Sequence, residues 1–365
     1  MSDSLIYKLA LSRIPNVGTV LAKNLVTYCG GVEAVFAEKL SLLKKIPGIG
    51  EKIAHSVYYF NDFDLLNSEV DYIAKHGITC YFFTDQAYPF RLKHIHAAPV
   101  MLFQKGQAEL NARRMVAVVG TRKASAHGKD EAKRIIEEMS VYKPTIISGL
   151  AYGIDSCAHK AALTYKLPTV SVFGHGLDRI YPQHNTNLAN QILESEGGWL
   201  TEFQTGTIPC RENFPKRNRI VAGLVDAVIV IESPVKGGSM ITANFGFENN
   251  REVMALPGRV NDSASVGCNN LIKTNRASLI ESGYDVANLL NWDVDKKKQK
   301  QFQLPISLGP QEQCIFDTLK VYGALEIDTL SFKTQLDSSV LAYKLLEMEM
   351  DHVVRVLPGK QYELI

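Results

Sequence analysis

The 365-residue sequence lacks the patterns that define several large classes of protein. No apolar run approaches the roughly 20 residues that a membrane-spanning helix needs, so we expect no membrane span. The six cysteines are scattered without a CxxC pair, which argues against a zinc ribbon or a disulfide framework and fits a reducing compartment. Residues 1–4 show no basic region and no cleavage site, so we expect a cytoplasmic protein without a signal peptide.

The sequence also lacks the local motifs of common catalytic and cofactor sites. It has no GxSxG nucleophile elbow and no HExxH metal motif, and its Gly-Lys pair at 128–129 is followed by aspartate rather than the Ser or Thr of a P-loop. Its glycine-rich segments do not complete GxGxxG, which argues against a dinucleotide. We predict no catalytic residue, no metal and no cofactor. We interpret three separated histidines as structural or surface residues: His159, His175 and His184.

The middle of the chain contains a series of short apolar runs. Residues 106–292 alternate β-branched runs, which end at glycine or polar residues, with helical stretches. Runs such as 115–119 and 145–148 have no polar alternation, which indicates strands buried on both faces of a sheet. Helical connections between them indicate a parallel sheet. We therefore predict an α/β fold with an extended Rossmann-like parallel sheet, whose ligands bind at the carboxyl ends of the strands.

The N-terminal residues 1–62 contain an internal repeat. The pattern Ile-Pro-x-x-Gly at 14–18 recurs at 46–50, and a helical stretch follows each copy. The repeat resembles a tandem helix-hairpin-helix (SAM-like) module in an all-α domain, whose glycines leave helix amides free to hold a phosphate. A packing module that touches no nucleic acid is an equally open interpretation, because a hairpin fixes shape and not a ligand.

The remaining segments are a connection, a linker and a small C-terminal domain. We interpret 63–105 as a connecting segment and the polar stretch 293–306 as a linker. Residues 307–365 have the pattern of three helices and a hairpin, which predicts a winged helix. That segment carries nine acidic and five basic residues. Because those charges would repel phosphate, we favour a protein-binding or structural role for it.

The strongest local signal for ligand binding is Phe-Pro-Lys-Arg-Asn-Arg at 214–219. Cations neutralise phosphates, and a phenyl ring can stack on an unpaired base. A solvated charged loop before a helix is the structural alternative. The segment follows a predicted strand near the carboxyl edge of the sheet, which favours a functional role. We predict that nucleic acid contacts Phe214, Lys216, Arg217, Asn218 and Arg219.

Four further segments at strand ends are candidate phosphate contacts. Gly-Thr-Arg at 120–122 allows close backbone approach and places an arginine in the crevice, although a tight turn with a surface arginine has the same sequence. The segment 237–242 opens a helix with glycines and hydroxyls, which suits an anion nest, helix capping or both. With two glycines of other strand-end loops, the additional predicted contacts are Gly120, Thr121, Arg122, Gly149, Gly174, Gly238, Ser239 and Thr242.

Seven motifs in order resemble the DNA-processing protein A (DprA/Smf) family. They are VAVVGTR (116–122), SGLAYGID (148–155), GHGLDRIYP (174–182), FPKRNRIVA (214–222), GSMITA (238–243), REVMALPG (251–258) and GCNNLI (267–272). The resemblance implies a homodimer whose Rossmann-like domain binds single-stranded DNA and which loads the RecA recombinase in natural transformation. It also implies that a basic groove includes Arg122, Lys216, Arg217 and Arg219.

The sequence therefore predicts a non-enzymatic protein that binds single-stranded DNA and has no membrane partner. One alternative is a Rossmann-type nucleotide-processing enzyme such as a nucleoside-monophosphate hydrolase, although 236–242 lacks the Pro-Gly-Gly-x-Gly-Thr pattern of that class. Another is a scaffold that joins partners through the acidic winged helix. Release of free base from nucleoside monophosphates would distinguish the enzyme from the binding protein.

Overall fold

A computed structural model of the protein describes residues 2–95, 97–292, 308–351, 353–357 and 359–365. The chain divides into two compact units, Met1–Val294 and Asp295–Ile365. The predicted linker 293–306 lies outside the described residues. Within the described ranges, no helix combines the length and the apolar character that crossing a membrane requires.

The N-terminal part of the first unit is entirely helical. Gly18 and Gly50 immediately precede α2 and α5 in extended conformation, and Gly48 has a φ of 82°, which a side chain would strain. The predicted all-α domain with two glycine hairpins is confirmed. Its helices are α1 (Ser2–Arg13), α2 (Thr19–Cys29), α3 (Val32–Ala37), α4 (Leu40–Leu43), α5 (Glu51–Tyr58) and α6 (Phe63–Lys75).

The rest of the first unit is built on a mostly parallel sheet. Its strands are β1 (Thr79–Phe82), β2 (Met101–Gly106), β3 (Met115–Val119), β4 (Thr145–Ser148), β5 (Thr169–Val172), β6 (Gly198–Thr201), β7 (Ala227–Val230), β8 (Glu252–Ala255) and β9 (Ser278–Leu279). Their order is β1-β2-β6-β5-β4-β3-β7-β8-β9. Pairing is parallel from β6 to β9, and β1 and β2 add an antiparallel edge. The predicted Rossmann-like parallel sheet is confirmed.

Helices cover both faces of this sheet. Alternate residues of β3 point to opposite faces: Val116 and Val118 pack with α8 and α9, whereas Met115 and Ala117 pack with α11 and α12. The helices are α7 (Phe90–Lys93), α8 (Ala126–Met139), α9 (Ile154–Thr164), α10 (Thr186–Glu194), α11 (Asn213–Gly223), α12 (Gly238–Glu248), α13 (Val266–Lys273) and α14 (Gly283–Leu289).

The strand order reverses between β3 and β7. From β3 the chain proceeds through β4, β5 and β6 on one side, whereas β7, β8 and β9 follow on the other. Loops that leave the carboxyl ends of β3 and β7 therefore diverge and open a crevice. Ligands of Rossmann-like sheets bind at such a switch point.

The segment 63–105 differs from the predicted connection because it contributes to the sheet. It supplies α6, β1, α7 and β2, and β2 pairs antiparallel with β6. From α7, the buried Arg91 forms an ion pair with Asp226, with 2.7 Å between Nε and Oδ1. That pair fixes the segment to the start of β7.

The second unit is a small winged helix, as predicted. Buried leucines of its three-helix core include Leu319, Leu330 and Leu341. On α17, the Lys344 ammonium lies 2.9 Å from Glu312 and 2.7 Å from Glu347, so both carboxylates already pair with it. The elements are α15 (Pro310–Tyr322), β10 (Leu325–Glu326), α16 (Ile327–Thr334), α17 (Ser338–Met350), β11 (Val354–Leu357) and β12 (Gln361–Leu364).

Candidate nucleic-acid interface

A cavity of about 560 Å³ opens at the switch point of the sheet. Its walls are the turn after β3, the loop after β4 and the first turns of α11 and α12. With Tyr181 from the loop after β5, the structure thus brings five separate sequence segments into one site. The predicted contact residues that line it are Gly120, Thr121, Arg122, Gly149, Phe214, Arg217, Asn218, Gly238, Ser239 and Thr242.

Two glycines allow the walls of this cavity to pack closely. A Cβ on Gly149 would overlap the guanidinium of Arg217. A Cβ on Gly153 would overlap the carbonyl oxygen of Thr121, and Gly153 has a φ of 78°, in the left-handed region. The loop after β4 therefore supports the turn that carries Arg122 through direct backbone contact.

Arg217 is a buried charge in the cavity wall. Its Nη1 donates to the carbonyl oxygen of Val172 at 2.6 Å, and its Nε donates to Asn218 Oδ1 at 3.1 Å. Burial lowers the pKa of Arg217, while the opposite charge of Asp155 acts to raise it. Burial likewise raises the pKa of Asp155, against the influence of Arg217. Arginine stays protonated under these conditions, so the cavity has a fixed cation.

Aromatic rings and a second arginine also line the cavity. The Arg122 guanidinium carbon lies 5.4 Å from the centroid of the Phe214 ring. The Phe214 ring is itself 6.0 Å from that of Tyr181, with 37° between the planes. Both rings line the cavity together with Arg211. An apolar face between cations can take an unpaired base with its phosphates.

Known protein families account for most of the chain. A family model described as DNA recombination-mediator protein A matches residues 79–291, and models of a helix-hairpin-helix motif and of the DprA winged helix domain match 7–66 and 299–360. This chain belongs to the DprA/Smf family. The range that the DNA recombination-mediator model matches contains every residue that lines the cavity.

Individual members of the DprA/Smf family show the extent of the similarity. The DNA processing protein DprA of Streptococcus pneumoniae is 42% identical over 55% of this chain and 71% of its own length. Protein Smf of Synechocystis is 34% identical over 82% of this chain and 76% of its own length.

Two solved DprA structures share this fold. The X-ray structure of DprA from Streptococcus pneumoniae superposes with a TM-score of 0.67 at 34% identity, covering 79% of this chain and 98% of that protein. DNA processing protein A from Helicobacter pylori, a structure described for its single-stranded DNA binding mode, gives a TM-score of 0.53 at 27% identity, with coverages of 59% and 95%.

Three residues predicted as DprA-type DNA contacts do not line the cavity. Arg219 is buried and donates to Glu202 and to the carbonyl oxygen of Ala97, so it braces α11 against the segment before β2. Lys216 is exposed on the outside of α11. Gly174 lies behind Phe214, where a Cβ would come within 3.3 Å of the ring.

Sequence reasoning missed several residues that line the cavity of this DprA/Smf member, Arg211 and Tyr181 among them. Arg211 precedes α11, and Tyr181 is the penultimate residue of the GHGLDRIYP motif. Signals for both were present, because Arg211 lies three residues before Phe214 and Tyr181 is an aromatic residue in a strand-end motif. Neither residue is itself a strand-end glycine or a member of the basic cluster at 216–219, the two patterns on which the predictions relied.

The helical N-terminal domain holds the loop that leads into α11. Gln204 Nε2 donates to the carbonyl oxygen of Leu9 at 3.1 Å and to Ser12 Oγ at 2.9 Å. The amide of Thr205 donates to Glu69 Oε1 at 3.0 Å, and Glu69 is buried. The N-terminal domain therefore fixes one wall of the cavity through the segment before Arg211.

The histidines near the sheet are consistent with the structural interpretation. His159 is buried, with its Nδ1 2.7 Å from Thr169 Oγ1 and its Nε2 3.1 Å from Ser171 Oγ. Burial lowers the pKa of His159 to about 3, and the charge of Arg217 acts in the same direction. A neutral imidazole on α9 thus contacts two hydroxyl groups of β5. In the part of the chain that the structure describes, His, Cys, Asp and Glu side chains form no cluster suited to a metal ion.

Proposed function

We propose that this protein binds single-stranded DNA in the cavity at the switch point and acts as a recombination mediator. The observation that carries the proposal is that three arginines, Arg122, Arg211 and Arg217, line one cavity together with the adjacent Phe214 and Tyr181 rings. Cations neutralise the backbone, and the rings stack on bases of any sequence.

The start of α12 adds a second element that attracts phosphate. Gly237 and Gly238 line the cavity at the N-terminus of this helix, whose free amides and dipole favour an anion. Asn218 Nδ2 donates to the carbonyl oxygen of Gly238 at 3.1 Å and thereby fixes α12 to α11. Phosphate groups would lie between this helix and the turn at Arg122.

A single strand suits this cavity better than a duplex. Bases in a duplex are stacked and paired, so a base can reach a ring in a recess only after it leaves the stack. Phosphate and stacking contacts do not read base identity. We therefore expect single-strand binding with weak sequence preference.

Fluorescence anisotropy with labelled oligonucleotides tests this proposal. Across a range of salt concentrations, single strands of mixed sequence should bind at least about tenfold tighter than a blunt duplex of equal length, a difference of about 1.4 kcal/mol. Equal affinity for the two forms contradicts the proposal. Free base released from nucleoside monophosphates would support a hydrolase instead.

The finer proposal is that a homodimer protects incoming DNA and loads RecA recombinase during natural transformation. It rests on membership of a family described as DNA recombination-mediator proteins. We expect the protein to accelerate RecA filament formation on single strands that carry single-strand binding protein. A Phe214→Ala variant should lose that acceleration in proportion to its loss of DNA affinity. If the wild-type protein binds DNA and leaves the rate of RecA assembly unchanged, the loading proposal is wrong.

A further inference from the structure

A second pair of exposed rings lies next to the cavity. Tyr152 follows Ala151, which lines the cavity, and His184 lies three residues after Tyr181, which also lines it. The centroids of the Tyr152 and His184 rings are 6.0 Å apart, with 40° between the planes. This spacing matches that of the Phe214 and Tyr181 rings, which are 6.0 Å apart with 37° between them.

The protein holds the second pair in place through a buried amide. Asn185, adjacent to His184, is 4% exposed. Its Nδ2 donates to the carbonyl oxygen of Leu150 at 2.8 Å and to Ser156 Oγ at 2.9 Å. Ser156 Oγ in turn donates to the carbonyl oxygen of Ala151 at 2.5 Å. These bonds join the loop after β4 to the loop after β5, so the two rings are positioned before any ligand arrives.

Core packing does not explain the position of Tyr152. Its side chain is 47% exposed, and it belongs to none of the hydrophobic cores formed by the described residues. A rigid, half-exposed aromatic ring at a loop tip costs little entropy to bind and offers one free face. Since the loops after β4 and β5 leave the same edge of the parallel sheet, this ring lies along the edge that carries the cavity.

We propose that Tyr152 and His184 form a second stacking platform, on which the single strand places a base after it leaves the cavity. The platform extends the proposed DNA site along the carboxyl edge, from the switch point towards β5. This inference rests on the proposed single-strand binding. The occupant is an unpaired nucleobase of the strand whose phosphates are held in the cavity.

Oligonucleotide length separates the platform from the cavity. We would measure the affinity of the full chain for oligothymidylates of increasing length, with wild-type protein and with Tyr152→Ala. Short strands that fill only the cavity should bind both proteins equally. Beyond a threshold length, the variant should bind about 5- to 150-fold more weakly, which is the cost of about 1–3 kcal/mol for one lost stacking contact.

Matched variants control for folding and for unspecific effects. Tyr152→Phe keeps the ring and should bind long strands within about twofold of wild type. Tyr28→Ala removes a ring that is 62% exposed at the end of α2 far from the Gly18 turn, and should change nothing at any length. In Tyr152→Trp, long strands should quench the added indole fluorescence and short strands should not.

The possible failures are distinguishable. If wild-type protein binds no single strand, both the proposed function and the stacking platform are wrong. If wild-type protein binds and Tyr152→Ala matches it at every length, the platform is wrong and the cavity proposal stands. An equal loss at all lengths would place Tyr152 inside the cavity contact and would also overturn the platform.

Discussion

An Arg217→Ala variant is expected to lose about 3–5 kcal/mol of unfolding free energy, because it removes a buried guanidinium whose charge offsets that of the buried Asp155 carboxylate. Arg217 is 5% exposed and Asp155 is 8% exposed. Without the guanidinium, the Asp155 carboxylate stays buried without its opposite charge, and the carbonyl oxygen of Val172 loses a donor. A typical domain has only about 5–15 kcal/mol in total, so the loss should be plain in chemical denaturation.

The deficit of Arg217→Ala should depend on pH in a defined direction. Burial already raises the pKa of Asp155 above its ordinary value, and Arg217 opposes that rise. In the variant the pKa of Asp155 therefore rises further. The folded variant then has an Asp155 pKa above that of the unfolded chain, so it binds more protons than the unfolded chain does. The free energy of unfolding of the variant therefore falls as the pH rises from the unfolded pKa of Asp155 to the folded one. The deficit should be larger at pH 7.5 than at pH 5.

Lys216 provides the control for this prediction, because it is exposed and lies next to Arg217 on α11. Lys216→Ala should change the unfolding free energy by no more than about 0.5 kcal/mol at either pH. Unfolding in urea, followed by circular dichroism at both pH values, measures both variants. Equal stability of Arg217→Ala and Lys216→Ala would show that the buried guanidinium contributes nothing to folding.

The sequence predicted the strands and the motifs better than it predicted individual cations. Residues 115–119 and 145–148 form β3 and β4 with the predicted bounds, because a buried parallel strand is a continuous apolar run. Lys216, Arg217 and Arg219 looked equivalent as a charged segment. They occupy the first turns of α11, where each residue is rotated by about 100° from the last. Lys216 therefore faces solvent, Arg217 faces the cavity and Arg219 faces Glu202.

The sequence did not predict the antiparallel edge of the sheet, and the reason differs from that for the cations. β2 pairs with β6 at the end of the parallel part of the sheet, and β1 pairs with β2. Nothing local in 79–106 specifies that pairing, since register depends on which face the sheet offers for burial. Similarly, Asp155 and Tyr181 lie in the site because the loops after β3, β4 and β5 meet there. Tertiary structure determines that meeting, and no local pattern in the sequence indicates it.

Removal of the Phe214 ring and removal of the cavity arginines should weaken single-strand binding in different ways. Phe214→Ala is expected to weaken single-strand binding by about 1–3 kcal/mol, the cost of one lost base–aromatic contact. Its effect should be the same at every salt concentration, because a ring releases no counterions. Phe214 is partly buried against Gly174 and Tyr181, so thermal melts must first show that the variant is folded.

A double variant, Arg122→Ala with Arg211→Ala, supplies the contrast. Each lost phosphate contact lowers the slope of log affinity against log salt by about 0.7 for single strands, so the double change should lower it by about 1.4. The loss of affinity should therefore be greatest at low salt and should shrink as salt rises. Anisotropy titrations over the same salt series measure all three proteins. If the Phe214→Ala slope fell while that of the double variant did not, phosphates would lie away from both arginines. The strand would then bind outside the cavity, since Arg122 and Arg211 both line it.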